Sequence, residues 1–291
     1  MKTLAIYALE VLACSGVLLA AYTILLDRRV KFRWCRLYLL ASTAAAALIP
    51  LLRIPVWPGQ VIVATPTVTA PDLADWTAEV LPDAEAHAIT PGHLCLGLYL
   101  AGATLILGIM LWQIFRIRHL RRGAEVTRTG KYWIVRTRQE IASFSFFRTV
   151  YLHDAIPESD MAAVVAHELS HIRHRHSAER IVMECVKALL WWNPFVRIAA
   201  RRLAEVEEYE ADRDVLTQGY DPSEYIATIF KTQFGYSPDI ANGLRDSLTK
   251  KRFQMMTKHS GDSRALLRLA GSIPVVLLLL ACFSFTSQAT E

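Results

Sequence analysis

"VVAHELSHIRHRHSAER", residues 164–180, sets four histidines and the glutamate Glu168 among arginines and apolar residues. The stretch is either a solvated basic helix face or a metal site. Upstream, Pro157 is followed by Glu158 and Asp160, and acidic side chains there suit the positive end of a helix dipole. Met161, Val164, Val165, Leu169 and Ile172 then recur at spacings of three and four, which predicts a half-buried helix. On it His167 and His171 project side by side, with Glu168 one step around from the first. Two neutral imidazoles one turn apart span an edge of a tetrahedral zinc site, with bonds of about 2.0–2.1 Å. Glu168 cannot easily reach such a metal but can reach water bound to it. H-E-x-x-H is the zinc-protease pattern in which that glutamate is the general base. Zinc lowers the pKa of its water from about 15.7 to near 7, so a carboxylate can remove the proton at neutral pH and hydroxide can attack a peptide carbonyl. His174 and His176, interleaved with Arg173 and Arg175, are expected at a solvated helix end.

A third ligand must come from elsewhere. "LAEVEEYEADRDVL", residues 203–216, follows "WWNPF" at 191–195, where Pro194 forces a break between two helices. Two E-x-x-x-D pairs occur there, Glu208 with Asp212 and Glu210 with Asp214, so spacing alone does not decide. At about 100° per residue, Glu208 and Asp212 flank Val215 and Leu216, whereas Glu207, Glu210 and Asp214 form a stripe of their own that looks like a solvated face. Glu208 is therefore expected to complete the site. Asp212 is expected to accept the distal N–H of a ligating histidine. For an oxyanion donor the sequence offers only Tyr209, Arg201 and His174 as guesses.

Working outward, 53% of the 291 residues are hydrophobic and the formal charge is +5, with a positive mean hydropathy. That is too apolar for an ordinary soluble chain of this length. Thr3–Leu26, Cys35–Ile54, Leu94–Phe115 and about Leu266–Phe285 meet the roughly 20 mostly apolar residues a spanning helix needs. A secretory signal around Cys14 is disfavoured, because the apolar run continues to Leu26 and Arg28, Arg29, Lys31, Arg33 and Arg36 follow. These cations, with Arg116, Arg118, Arg121 and Arg122 after the third window, mark cytoplasmic ends. Residues 56–93 contain no Lys or Arg but five prolines and five acids, as an external loop would.

The expected order is a transmembrane helix within 1–26, a basic cytoplasmic loop 27–34, a second helix 35–54, an external acidic loop 55–93 and a third helix 94–115. A cytoplasmic domain 116–264, a fourth helix 265–285 and an external tail 286–291 follow. The N-terminus lies outside a bacterial inner membrane. The domain opens with strand-like "YWIV" (132–135) and "TVYLH" (149–153). Trp191 and Trp192 either rest it against the bilayer or pack into its core. Five scattered cysteines make neither a disulfide framework nor a cysteine zinc site. The short juxtamembrane basic runs suit topology better than nucleic acid, and oligomerisation is left open.

"HELSH", "WWNPF" and "EYEAD" in this order, behind three apolar segments and before a fourth, resemble the BlaR/MecR family of integral-membrane zinc metallopeptidases, the transducers of beta-lactam sensors. "SFSFFRTVYL" and "KKRFQMMTK" (250–258) are similar to its members from Bacteroidetes-like bacteria. The resemblance implies a mainly α chain whose cytoplasmic α+β domain is gluzincin-like and cuts a cytosolic protein after a signal crosses the membrane. It carries His167, His171 and Glu208 over as Zn2+ ligands, Glu168 as base and Asp212 as support. The family's beta-lactam sensors have a large external domain after the last span. Only a few residues follow Phe285 here, so antibiotic sensing is not expected. Three classes stand: cleavage of a cytosolic, DNA-binding repressor or similar regulator; membrane quality control; and a non-catalytic zinc-dependent signalling partner.

Overall fold

A computed structural model describes residues 4–52, 54–55, 91–139, 141–234, 247–257, 265–283 and 285–286. The expected external loop and tail lie almost wholly outside the described residues. The described residues are mostly helical, with a small four-stranded sheet and a two-stranded one. Helix α1 (Leu4–Ala21) continues as a π-helical turn to Leu26, α2 (Phe32–Leu48) ends in a 3-10 turn, and α3 spans Pro91–His119. Leu4–Leu26, Phe32–Leu51 and Gly92–His119 are long and apolar enough to cross a membrane.

After the short strand β1 (Ile54–Pro55), the sheet is built from β2 (Glu125–Thr129), β3 (Tyr132–Thr137), β4 (Phe144–Phe146) and β5 (Thr149–His153). Its order is β2-β3-β5-β4, with β3 and β5 parallel and the other pairs antiparallel. Gly130 takes φ +60° at the β2–β3 turn, where a side chain would be strained. Val150 and Leu152 of β5 pack on Val164 and Ile172 of helix α4 (Glu158–His174), the helix anticipated from the apolar spacing.

Helices α5 (His176–Leu189), α6 (Pro194–Thr217), α7 (Pro222–Phe234) and α8 (Ser247–Met256) follow. Pro194 takes the first turn of α6, where its missing N–H costs nothing, and the Asn193 side chain caps the helix by accepting from Phe195 N. The "WWNPF" turn is wedged between the apolar helices. Fully buried Asn193 donates to Ser15 Oγ at 2.9 Å, Phe195 lies over Gly16, and Trp191 fills the space that a Cβ at Gly102 would occupy. Tyr99 Oη donates to Leu189 O at 2.8 Å. Ser15 and Gly102 stand well inside their helices, so Trp191 packs between helices at mid-height, and Trp192 packs against the apolar core. Helix α6 packs against α1, α2, α4, α5 and α8.

The fourth window departs from expectation. Instead of one continuous span, α9 (Ala265–Ala270) and α10 (Ile273–Phe283) are separated at Gly271 and Ser272. The apolar stretch Leu267–Phe283 is short for a span. Gly271 and Pro274 explain the break, since one lowers helix propensity and the other removes a helical donor. Leu279 of α10 packs with Cys14 and Leu18 of α1, and β6 (Phe285–Thr286) pairs in parallel with β1.

Candidate metal centre

Helix α4 presents His167 and His171 one turn apart, and α6 crosses it so that Glu208 faces both rings. His167 Nε2 lies 3.2 Å from His171 Nε2. Glu208 Oε2 is 3.4 Å from His167 Nε2, and Oε1 is 3.7 Å from His171 Nε2. Bonds of about 2.0–2.1 Å in a tetrahedral site require ligand atoms roughly 3.3 Å apart. The donor set is therefore spaced close to what a metal ion needs, and among the described residues this is the His/Glu cluster that could hold one. Glu210, the rival carboxylate, is outside the cluster.

The electrostatics favour a cation. Burial penalises a charged His167, but the nearby Asp212 and Glu208 carboxylates outweigh that and raise its pKa to about 9. Burial raises Glu208 in turn, yet the bond to His167, His171 and Arg252 hold it well below the usual range. Glu168, next to His167 in sequence, is buried, and burial pushes its carboxyl up against the pull of His167.

Two buried chains back the rings. His167 Nδ1 is 2.8 Å from Tyr225 Oη, which donates to Asp212 Oδ1 at 2.9 Å. Asp212 Oδ1 itself stands 3.4 Å from His167 Nδ1. The Tyr225 hydroxyl is thus the nearer partner of the N–H expected to go to Asp212. Arg252 of α8 grips Asp212 through two nitrogens, Nε to Oδ2 at 2.9 Å and Nη2 to Oδ1 at 2.6 Å, and reaches Glu208 at 3.4 Å. On the other side, His171 Nδ1 meets His176 Nδ1 at 2.7 Å, and His176 Nε2 meets Glu210 Oε2 at 3.2 Å. Tyr225 and Arg252 carried no site role in the sequence, although Arg252 lies within the quoted "KKRFQMMTK".

Two expectations are corrected, and one residue gains a role. His176 is not at a solvated helix end but 1% exposed, because Arg175 adopts φ +60°, ends α4 and starts α5, turning His176 back onto His171. The stripe of Glu207, Glu210 and Asp214 is not a solvated face. Glu207 is fully buried against Arg180, and burial lifts its pKa to about 7 despite that cation. Asp214 accepts from Ser170 Oγ at 2.8 Å and Arg173 Nη1 at 3.1 Å, and lies 2.9 Å from His174 Nε2. Arg36, counted among the cytoplasmic anchor cations, is 4% exposed and paired with Glu179 and Glu210. The cluster opens onto a cleft of about 280 Å³. Of the candidate oxyanion donors, Tyr209, Arg201 and His174 do not line it, whereas Arg180 and Arg252 do. Ser145 of β4 also lines it and bonds to Glu168.

Residues 149–256 match the family model described as BlaR1 peptidase M56. The matched stretch runs from β5 through α8 and contains the metal cluster and its partners apart from Arg36. A comparison with curated proteins finds no match. The family match supports a peptidase, M56 peptidases being metallopeptidases. Together with the apolar helices it supports a membrane protein.

Proposed function

We propose that the chain is an integral-membrane zinc endopeptidase that cuts a cytosolic protein, a transcriptional repressor or other regulator, as the output of a transmembrane relay. The observation that carries this reading is the convergence of two imidazole Nε2 atoms and one carboxylate at 3.2–3.7 Å beside buried Glu168. Two histidines and a glutamate form the three-ligand set of catalytic zinc sites. His167, His171 and Glu208 would hold the ion. Bound there, zinc would polarise a peptide carbonyl and acidify water.

Glu168 takes the proton of the attacking water and passes it to the departing amine, the general acid–base role of a carboxylate beside the reacting bond. Strand β4 is the sheet edge on the cleft side. Its outward backbone groups can align an extended peptide as an added strand, which suits a protein substrate. Arg180 and Arg252 offer positive charge at the cleft wall for the oxygen that becomes negative.

The topology follows the charge pattern: N-terminus outside, four spans with the last one kinked, and residues 116–264 on the cytoplasmic side, with the 191–195 turn reaching back between the spans. The Phe32 ring packs on Tyr209 and Arg36 on Glu210, so the site stands level with the basic end of α2, which the positive-inside rule assigns to the cytoplasm. In cysteine-free protein, cysteines returned at Thr77 and Lys131 should label differently in intact cells, only Thr77 reacting with an impermeant thiol reagent. Labelling of Lys131 instead overturns the cytosolic substrate. The activity is tested by comparative proteomics of wild-type and Glu168→Gln cells. One stabilised cytosolic protein is expected, broad stabilisation points to quality control, and an unchanged proteome removes the peptidase reading.

A further inference from the structure

We propose that His176 and Glu210, anchored by Arg36 of the second apolar helix, are positioning residues that fix the His171 ring as a ligand and so tie the metal centre to a membrane segment. The inference rests on the metal-site reading above.

The argument is one of hydrogen counting. Two Nδ1 atoms 2.7 Å apart share a single hydrogen, so one ring donates and the other accepts. A Glu210 carboxylate can only accept, and it faces His176 Nε2 at 3.2 Å, which places the His176 hydrogen on Nε2. A neutral imidazole carries one N–H, and that of His176 is taken up on Nε2 by Glu210. His176 Nδ1 is then the acceptor and His171 Nδ1 the donor. The lone pair of His171 is left on Nε2, the atom that faces His167 and Glu208. A ligating histidine needs this tautomer, and its other nitrogen commonly sets it through such a partner.

Arg36 holds the far end of the chain. Its Nε lies 2.9 Å from Glu210 Oε2, and its Nη1 reaches Glu179 Oε1 at 2.7 Å and the His174 carbonyl at 3.4 Å. One guanidinium from α2 thereby hydrogen-bonds the end of α4 and the first turns of α5 through Nη1 and sets its charge against Glu210 in the middle of α6 as an ion pair. Arg36 is 4%, Glu210 8% and His176 1% exposed, so water cannot easily replace any of these contacts. A displacement of α2 relative to α6 would pull on Glu210 first and on the His171 ring two contacts later.

The test measures zinc affinity of the full-length protein in detergent by competition with a chromophoric chelator, together with melting of the metal-free protein. His176→Leu and Glu210→Gln should bind zinc about 10–100-fold more weakly, the scale on which partners of ligating histidines act. His176→Asn returns an acceptor oxygen near the Nδ1 position and should recover most of that loss, although it removes the same ring from the core. Arg36→Gln should weaken zinc several-fold, and Arg36→Lys should recover only part. Cobalt-substituted protein gives a second readout on whatever folded fraction survives, since its visible bands report the ligand set. Wild-type affinity and cobalt spectrum in His176→Leu and Arg36→Gln would overturn the inference while leaving the zinc site intact. A wild-type protein that binds no zinc would overturn the metal-site reading itself.

Discussion

The two candidate histidine ligands are one helical turn apart and chemically identical, but they are braced by different parts of the molecule. His167 leans on Tyr225 and Asp212 and through them on Arg252, all on α6, α7 and α8. His171 leans on His176 and Glu210 and through them on Arg36, which belongs to an apolar helix near the N-terminus. Each brace ends on a buried arginine, because a carboxylate taken out of water needs a cation or several donors beside it. The difference lies in where the arginine is rooted: one brace closes within the family-matched stretch, and the other leaves it for a candidate membrane span.

The harshest test removes what both braces serve. Among the described residues Glu208 is the one carboxylate facing both Nε2 atoms, so Glu208→Ala should abolish stoichiometric zinc, as read by metal analysis of purified protein. Retained full zinc would break the comparison at its centre. Glu168 belongs to neither brace. Glu168→Gln should therefore keep zinc and lose proteolysis by about 10²-fold or more, the scale of removing a general base. Wild-type turnover would remove Glu168 from the mechanism. Next in size, Asp212→Ala should weaken zinc about 10–100-fold. It also strands Arg252 without its bidentate partner, which costs about 3–5 kcal/mol when a buried ion pair loses one member, so the metal-free protein should melt well below wild type. An unchanged melting temperature would show that Arg252 is not held by Asp212.

How much of this was legible follows from what each signal depends on. His167, Glu168 and His171 lie on a single helix with regular apolar spacing, so a 3.6-residue period suffices to place them together. The wheel favours Glu208 over Glu210 on the ground that Glu207, Glu210 and Asp214 face water. The structure puts Glu208 in the cluster, but that ground is wrong. Helix α6 is surrounded by five other helices, and a helical wheel shows which residues share a face, not what covers it. His176 was misplaced for a different reason. The single left-handed residue Arg175 restarts the helical phase, and an arginine there gives no warning of the kind a glycine or asparagine would. Arg36 reads correctly as a cation near a helix end, and nothing local reveals that its partners lie far along the chain. Strands β3 and β5 are visible as apolar runs, whereas the Phe144–Ser145–Phe146 alternation of β4, three residues long, is too short to mark a strand.

The smallest effect separates the parts of the His167 brace itself. Tyr225 Oη stands between His167 Nδ1 at 2.8 Å and Asp212 Oδ1 at 2.9 Å. Since the hydroxyl donates to the carboxylate, its oxygen is left to accept from the ring. Asp212 Oδ1 is already 3.4 Å from the same nitrogen, a few tenths of an ångström beyond a hydrogen bond. Tyr225→Phe keeps the ring in the core cluster with Ala163 and Val215 and deletes only the oxygen. The His167 N–H can then close directly onto Asp212, which Arg252 holds in place, and the tautomer is preserved. Zinc affinity should fall only a few-fold, well short of the Asp212→Ala loss, in the same chelator competition. A loss equal to that of Asp212→Ala would make the hydroxyl the indispensable acceptor and Asp212 merely its anchor. That result would give both braces the same form, a ligating ring held through a neutral relay by a carboxylate locked to arginine.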